Sequence, residues 1–243
     1  YTSKRAKLIN QVISKALETD VDGINLDFEL VSDECGPHYV QFVRELSVKC
    51  RQNGLVFSVD NYVPQPYNAH YDIEEQAAVA DYVVVMGYDE HTEGSYEAGS
   101  VASIGYLKNG ISEALKSVPA DKLIAGVPFY TRLWFERPKT DEEFAADEGT
   151  EAENYPNKVK SSAYGMDDAA ELISSMGAQT EWDDKTKQNY AQWEGDGGIW
   201  LEDTQSLEEK LKVIKENQLA GVAEWSLGME GSGVWDLILQ YVN

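Results

Sequence analysis

The chain has 243 residues, 42% hydrophobic and 26% charged, enough for one large domain or two small ones around a sizeable core. Its 20 lysines and arginines stand against 43 aspartates and glutamates, a formal net charge of −23. So acidic a surface repels phosphate backbones and anionic lipid, which argues against nucleic-acid binding and peripheral membrane attachment and favours a neutral or cationic partner. In chain order, the opening YTSKRAKLIN lacks the apolar stretch of a signal peptide, so an export address of the parent protein is expected outside this chain. No run of about 18 apolar residues follows anywhere to span a bilayer.

Residues 4–18 predict a helix with Leu8, Val12, Ile13, Ala16 and Leu17 on one side. GINLDFELV at 23–31 predicts a strand, 37–50 a helix, 54–63 a strand, 72–80 a short helix and 81–90 a strand. A Gly/Ser-rich loop leads to a helix over 104–118 and a strand over 122–135. The chain closes with a helix at 206–218, a strand at 221–229 and a helix at 234–242. Alternating strands and helices of these lengths imply parallel strands joined by right-handed crossovers. Cys35 and Cys50 flank the helix at 37–50; at about 1.5 Å per residue they lie roughly 20 Å apart. A disulfide needs Cα atoms within about 7 Å, so two free thiols are expected.

Residues 136–203 interrupt the rhythm. An acidic, turn-rich stretch (TDEEFAADEGTEAEN) precedes a helix near 167–176 and strand-like pieces at 179–182, 189–193 and 198–201. Trp182, Trp193, Trp200, Tyr164 and Tyr190 supply aromatic area for a small core, so the segment reads as an α+β insertion. The predicted organisation is a main α/β domain at 1–135 and 204–243 with an insertion at 136–203.

The most informative stretch is Asp22-Gly23-Ile24-Asn25-Leu26-Asp27-Phe28-Glu29. On a strand, alternation sends Ile24, Leu26 and Phe28 toward covering helices and aligns Asn25, Asp27 and Glu29 on the other face. Three polar groups in a row are costly to bury without a purpose, and parallel α/β folds place their sites at strand carboxyl ends, where Glu29 lies. Two carboxylates this close cannot both ionise freely. A protonated Glu beside an ionised Asp is the equipment of general-acid catalysis. Three other readings stay open: a divalent-cation site, a solvated strand face, and an acid row that has lost activity in a binding protein. His38, His70 and His91 are scattered without ligand spacing, and no metal or cofactor is expected.

These residues resemble glycoside hydrolase family 18, the chitinases and related N-acetylglucosaminidases. The family's DxxDxDxE signature, at the end of the fourth strand of a (β/α)8 barrel, reads here Asp22, Asn25, Asp27, Glu29. Asn25 replaces the second Asp, a departure that bears on how Asp27 shares its proton. MGYD at 86–89 resembles the sixth-strand M-x-Y-D motif, GVPFY at 126–130 the seventh strand, and AEWSLG at 223–228 the eighth. The stretch from DNYVP to MGYDEH is similar to Gram-positive members, among them spore-cortex and cell-wall glucosaminidases.

The resemblance implies a TIM-barrel-type α/β fold. Only five main strands are predicted, so the first three are expected to be missing, and a five-strand sheet would expose edges prone to self-association. It also implies retaining, substrate-assisted hydrolysis of β-1,4-linked N-acetylglucosamine glycans, from peptidoglycan or cortex fragments to chitin. Glu29 would protonate the glycosidic oxygen, Asp27 would hold the acetamido N–H, and Tyr88 would bond the acetamido oxygen. Trp225 would floor the sugar subsite. Asn25, Met86, Asp89, Asp60 and Tyr130 would bind substrate, with Tyr62 at the same rim as Asp60 and Asp89 and Arg132 beside Tyr130 after the seventh strand, while His91 reads as a surface-loop residue. The implied partner is a glycan, and the implied location is extracellular or at the cell wall. A catalytically silent carbohydrate-binding module of the same fold is the alternative.

Overall fold

The computed structural model describes residues 2–193 and 197–242. Backbone contacts divide the chain into two compact units. The first comprises Tyr1–Met86, Asn109–Ala125 and Glu216–Ala223; the second comprises Gly87–Lys108, Gly126–Lys215 and Glu224–Asn243.

The chain opens with α1 (Thr2–Thr19), β1 (Gly23–Leu26), α2 (Gly36–Gln52), β2 (Val56–Tyr62), α3 (Ile73–Val79) and β3 (Tyr82–Met86). Next come α4 (Ile104–Ala114), β4 (Leu123–Pro128), β5 (Tyr130–Pro138), α5 (Asp141–Asp147), β6 (Asn157–Gly165) and α6 (Met166–Met176). Then β7 (Thr180–Asp183), β8 (Gln188–Trp193), β9 (Gly197–Trp200), α7 (Thr204–Glu216), β10 (Gly221–Trp225) and α8 (Val234–Val242) complete it. Among the described residues no helix is long and apolar enough to cross a membrane.

One five-stranded sheet has the order β1-β2-β3-β4-β10. Its β1–β2 and β2–β3 pairs are parallel, with Asn25 opposite Ser58, Asp60 opposite Val84, and Tyr62 opposite Met86. Gly23 is required where β1 meets β2: a Cβ there would lie 2.5 Å from the Val56 carbonyl oxygen. Alternation along β2 buries Phe57, Val59 and Asn61 and leaves Ser58, Asp60 and Tyr62 half-buried on the opposite side. Behind the sheet, α2 buries Tyr39, Val40, Phe42, Val43, Leu46 and Cys50. An amide pair ties β2 to α3: Asn61 Nδ2 donates to Gln76 Oε1 at 2.7 Å, and Gln76 Nε2 donates back to Asn61 Oδ1 at 2.9 Å. Both amides are buried, so the reciprocal bonds satisfy groups that would otherwise be costly. Cys35, just before α2, and Cys50, within it, are free thiols.

The second sheet, order β6-β5-β9-β8-β7, lies wholly in the second unit and its pairs are antiparallel. Its core gathers Leu133, Ala169, Ile173, Ala191, Ile199 and Leu201, with Trp193 and Tyr164 packed alongside. Beside it Lys210 Nζ pairs with Glu202 Oε1 at 2.6 Å, both side chains no more than 1% exposed. Gln188 Nε2 at 2.7 Å and Ser206 Oγ at 3.0 Å complete the carboxylate's partners.

Three sequence expectations change. The strand predicted at 23–31 stops at Leu26; further on, Leu30 adopts the left-handed region at φ 54°, and the Leu30 and Val31 amides bond to tyrosine hydroxyls instead of a neighbouring strand. The strand predicted at 122–135 is two strands in two sheets. The break falls at Phe129, whose amide donates to the Trp225 carbonyl at 2.7 Å. The stretch at 140–154, read as turn-rich, contains α5, and the nine-residue β6, for which no strand was expected, follows it and pairs along all of β5.

Candidate active site

In the first unit the end of β1 and the facing side of β2 assemble a polar cluster. Asn25 Nδ2 donates to Ser58 Oγ at 2.9 Å and to Asp60 Oδ1 at 2.8 Å, so the motif's asparagine is bound to a carboxylate on the neighbouring strand. Phe28 turns to the opposite side and stacks on Phe42 of α2, ring centroids 5.4 Å apart. That contact fixes the chain between the two carboxylates of Asp27 and Glu29, as the predicted alternation requires, although both residues lie beyond the strand. Asn25, Asp27 and Glu29 are exposed and not buried as the strand reading assumed; Asp60 is half-buried.

Burial, then the charge of Glu29, holds the Asp27 carboxyl above the usual range. Asp60 is pushed up to about 6, mainly by burial, with Asp27 and Glu29 adding and the Asn25 bond opposing. Asp60 thus joins Asp27 and Glu29 as a third carboxylate in the same field.

Glu29 is held by a residue that the sequence left at the rim. Tyr62 Oη donates to Glu29 Oε2 at 2.9 Å and accepts from the Leu30 amide at 3.2 Å. Tyr71 Oη accepts from the Val31 amide at 3.0 Å, and its ring meets Tyr62 edge-on at 5.8 Å. His70 Nε2 bonds the Val31 carbonyl at 2.7 Å, and its Nδ1 pairs with Asp33 Oδ1 at 2.9 Å. Tyr71 and His70 carry no spacing signal; they reach this loop through a 3-10 turn at Pro66–Tyr71. Met86 ends β3 and is buried.

The second unit holds the other predicted residues. Tyr130 Oη donates to Asp89 Oδ1, and the Tyr88 ring meets the Tyr130 ring edge-on at 6.3 Å. Burial, then the bond to Asp89, pushes the Tyr130 phenol far above its ordinary value. Arg132 Nη1 donates to Ser161 Oγ at 2.9 Å. Trp225 is 55% exposed and is joined to Ser226 by a cis peptide bond. Its neighbour Glu224, which the sequence reading passed over, is held above the usual carboxylate range by burial and then by Glu230. His91 Nδ1 bonds the Ser100 carbonyl at 2.9 Å, an ordinary loop contact. Among the described residues no group of three or more His, Cys, Asp or Glu side chains could hold a metal ion.

With this geometry in hand, comparison with known proteins decides the family. The model of glycosyl hydrolases family 18 matches residues 1–230. The chain belongs to that family. It is 27% identical to the uncharacterized glycosylase YvbX of Bacillus subtilis, over 98% of this chain and 66% of that protein. It is 26% identical to the cortical fragment-lytic enzyme of the same organism, over 100% of this chain and 54% of that protein. Among solved structures, the spore cortex-lytic enzyme SleL of Bacillus megaterium superposes at TM-score 0.82 and 22% identity, over 100% of this chain and 54% of that one. A chitinase from Chromobacterium violaceum superposes at TM-score 0.83 and 24% identity, over 99% and 72%. The fold is therefore the mixed α/β fold of those enzymes, with a parallel sheet and its helices. The chain spans about half to two thirds of the length of the two Bacillus subtilis relatives.

Proposed function

We propose that this chain carries the catalytic carboxylates of a retaining glycosidase acting on β-1,4-linked N-acetylglucosamine glycans, with cortex or peptidoglycan fragments ahead of chitin. The observation that carries this reading is the cluster at the end of β1: Asp27 and Glu29 side by side, with Asp60 in their field. Glu29 protonates the glycosidic oxygen while the substrate's own acetamido carbonyl attacks the anomeric carbon, and Asp27 holds the acetamido N–H. On the family resemblance, Tyr88 bonds the acetamido oxygen, and Trp225 offers its exposed face to a sugar ring. Asn25, Met86, Asp89 and Tyr130 are assigned to substrate binding on the same ground.

In this reading the sheet β1-β2-β3-β4-β10 forms the later strands of a (β/α)8 barrel at 1–135 and 204–243, and the segment 136–203, which carries most of the second sheet while β5 enters that sheet from residue 130, is an insertion before the last strand. The terminal strands β1 and β10 support it, as does the share of each longer relative that the chain spans. The Bacillus relatives support a place of action outside the cell, at the wall or spore cortex. The intact Asp27 and Glu29 give no support to a catalytically silent carbohydrate-binding module.

The test is product analysis by NMR on N-acetylglucosamine oligomers and on purified cortex fragments. The reading expects newly released ends that carry the β anomer first; an α anomer first, or no cleavage of either glycan, refutes it.

A further inference from the structure

Glu29 has two carboxyl oxygens, and a general acid must present its proton on the one that faces the leaving group. Tyr62 settles which. Its hydroxyl accepts from the Leu30 amide at 3.2 Å, so the phenolic hydrogen is directed away from that amide and toward Glu29 Oε2 at 2.9 Å. Burial, then the bond to Glu29, pushes the Tyr62 phenol up to about 12, so it remains a donor throughout the neutral range. An oxygen that accepts a hydrogen bond is a poor place to carry a proton. The ring is braced edge-on by Tyr71, and the Glu29 backbone is held by the left-handed turn at Leu30.

We propose that Tyr62 is a positioning residue that reserves Glu29 Oε2 as a hydrogen-bond acceptor and leaves Oε1 to carry the proton delivered to the glycosidic oxygen. The inference rests on the reading of Glu29 as the acid. In the step, the Oε1–H bond breaks as the proton passes to the glycosidic oxygen. The C1–O bond breaks as the acetamido oxygen closes on C1, and Glu29 is left as the carboxylate that Tyr62 already hydrogen-bonds. Tyr62 therefore gives more to the product state of the acid than to its starting state, which lowers the barrier to proton release. The titratable groups that face this site include Asp27, Asp60 and Tyr71, with Tyr39 of α2 behind them and His70, paired with Asp33, against the Tyr71 ring.

The experiment is Tyr62→Phe in the full-length protein. The ring and its contact with Tyr71 are kept, and Leu30 is 92% exposed, so its amide can turn to water without unfolding the loop. Two readouts go beyond structure. Loss of a donor that favours the ionised carboxylate moves the basic limb of kcat/KM against pH up by half a unit or more. Hydrolysis of an N-acetylglucosamine oligomer, whose leaving group needs protonation, falls about tenfold. Hydrolysis of the 2,4-dinitrophenyl glycoside, whose leaving group needs little help, falls less than threefold. An equal loss on both substrates with the limb unmoved, or no loss on either, overturns the proposal. Tyr71→Phe, which removes the partner of Val31 and does not touch Glu29, lowers the melting temperature and leaves the limb in place. Glu29→Gln separates the two claims. If that variant still turns over the oligomer, both fall; if it is inactive and Tyr62→Phe behaves as wild type, only the role of Tyr62 falls.

Discussion

Asp60→Asn is expected to make the protein more stable at pH 7 and no more stable at pH 4. The carboxyl of Asp60 is pushed up to about 6, against an ordinary aspartate value of about 3.9. A folded-state value above the unfolded one means that the native protein binds the extra proton. Stability is then greatest below the unfolded value and declines as pH rises through about 4 to 6. A shift of about two units corresponds to about 3 kcal/mol for a fully sheltered group. Asp60 is only half-buried, so solvent screening reduces this to about 1–2 kcal/mol. The substitution keeps the shape and keeps an oxygen to accept the Asn25 amide, so no packing change obscures the sign. Urea unfolding of both proteins at pH 4 and pH 7, compared as differences at each pH, reads this group together with its coupling to Asp27 and Glu29 and cancels the distant carboxylates. Equal midpoints at both pH values, or a destabilisation at pH 7, would refute the argument that burial and the Asp27 and Glu29 charges strain this carboxylate. The same variant is expected to lose activity, the trade between stability and function common at active sites.

Three further outcomes follow from other parts of the molecule. Lys210→Met leaves the Glu202 charge buried without its cation and is expected to cost about 3–5 kcal/mol in urea unfolding, whereas Lys210→Met with Glu202→Gln recovers much of it. Gly23→Ala drives a Cβ into the Val56 carbonyl and is expected to cost about 1–3 kcal/mol, with loss of activity as β1 separates from β2 at Asn25 and Ser58. Breaking the solvent-screened Arg137–Glu143 pair with Glu143→Gln, which keeps an oxygen for the Thr140 amide, is expected to leave the urea midpoint nearly unchanged.

Periodicity carried most of the parallel sheet, because buried strands of Val and Ile and amphipathic helices such as α2 announce themselves locally. The ends of strands were less legible. Beyond β1 the path of the chain depends on Leu30 entering the left-handed region and on hydroxyls of Tyr62 and Tyr71, which lie 32 and 40 residues further along the chain. The division at Phe129 was hidden because the residues on both sides are apolar and only the sheet they join differs. β6 is an outer strand of its sheet, NKVKSSAYG, whose hydrophobic alternation is faint and whose order comes from pairing with β5. α5 did carry a signal: Thr140 and Glu143 form a capping box, and three acidic residues fill its first turn. At the site, residue types pointed to Asp27 and Glu29 and the resemblance added Asp60, but the bond from Tyr62 to Glu29 is a cross-strand contact that spacing does not encode.

The central claim is that Glu29 delivers the proton that breaks the glycosidic bond. The most direct measurement pairs turnover with calorimetric binding of an N-acetylglucosamine oligomer, for the wild type and Glu29→Gln. The account predicts a loss of at least a thousandfold in kcat for the oligomer with a dissociation constant within about threefold of the wild type. Retained turnover in Glu29→Gln would contradict it.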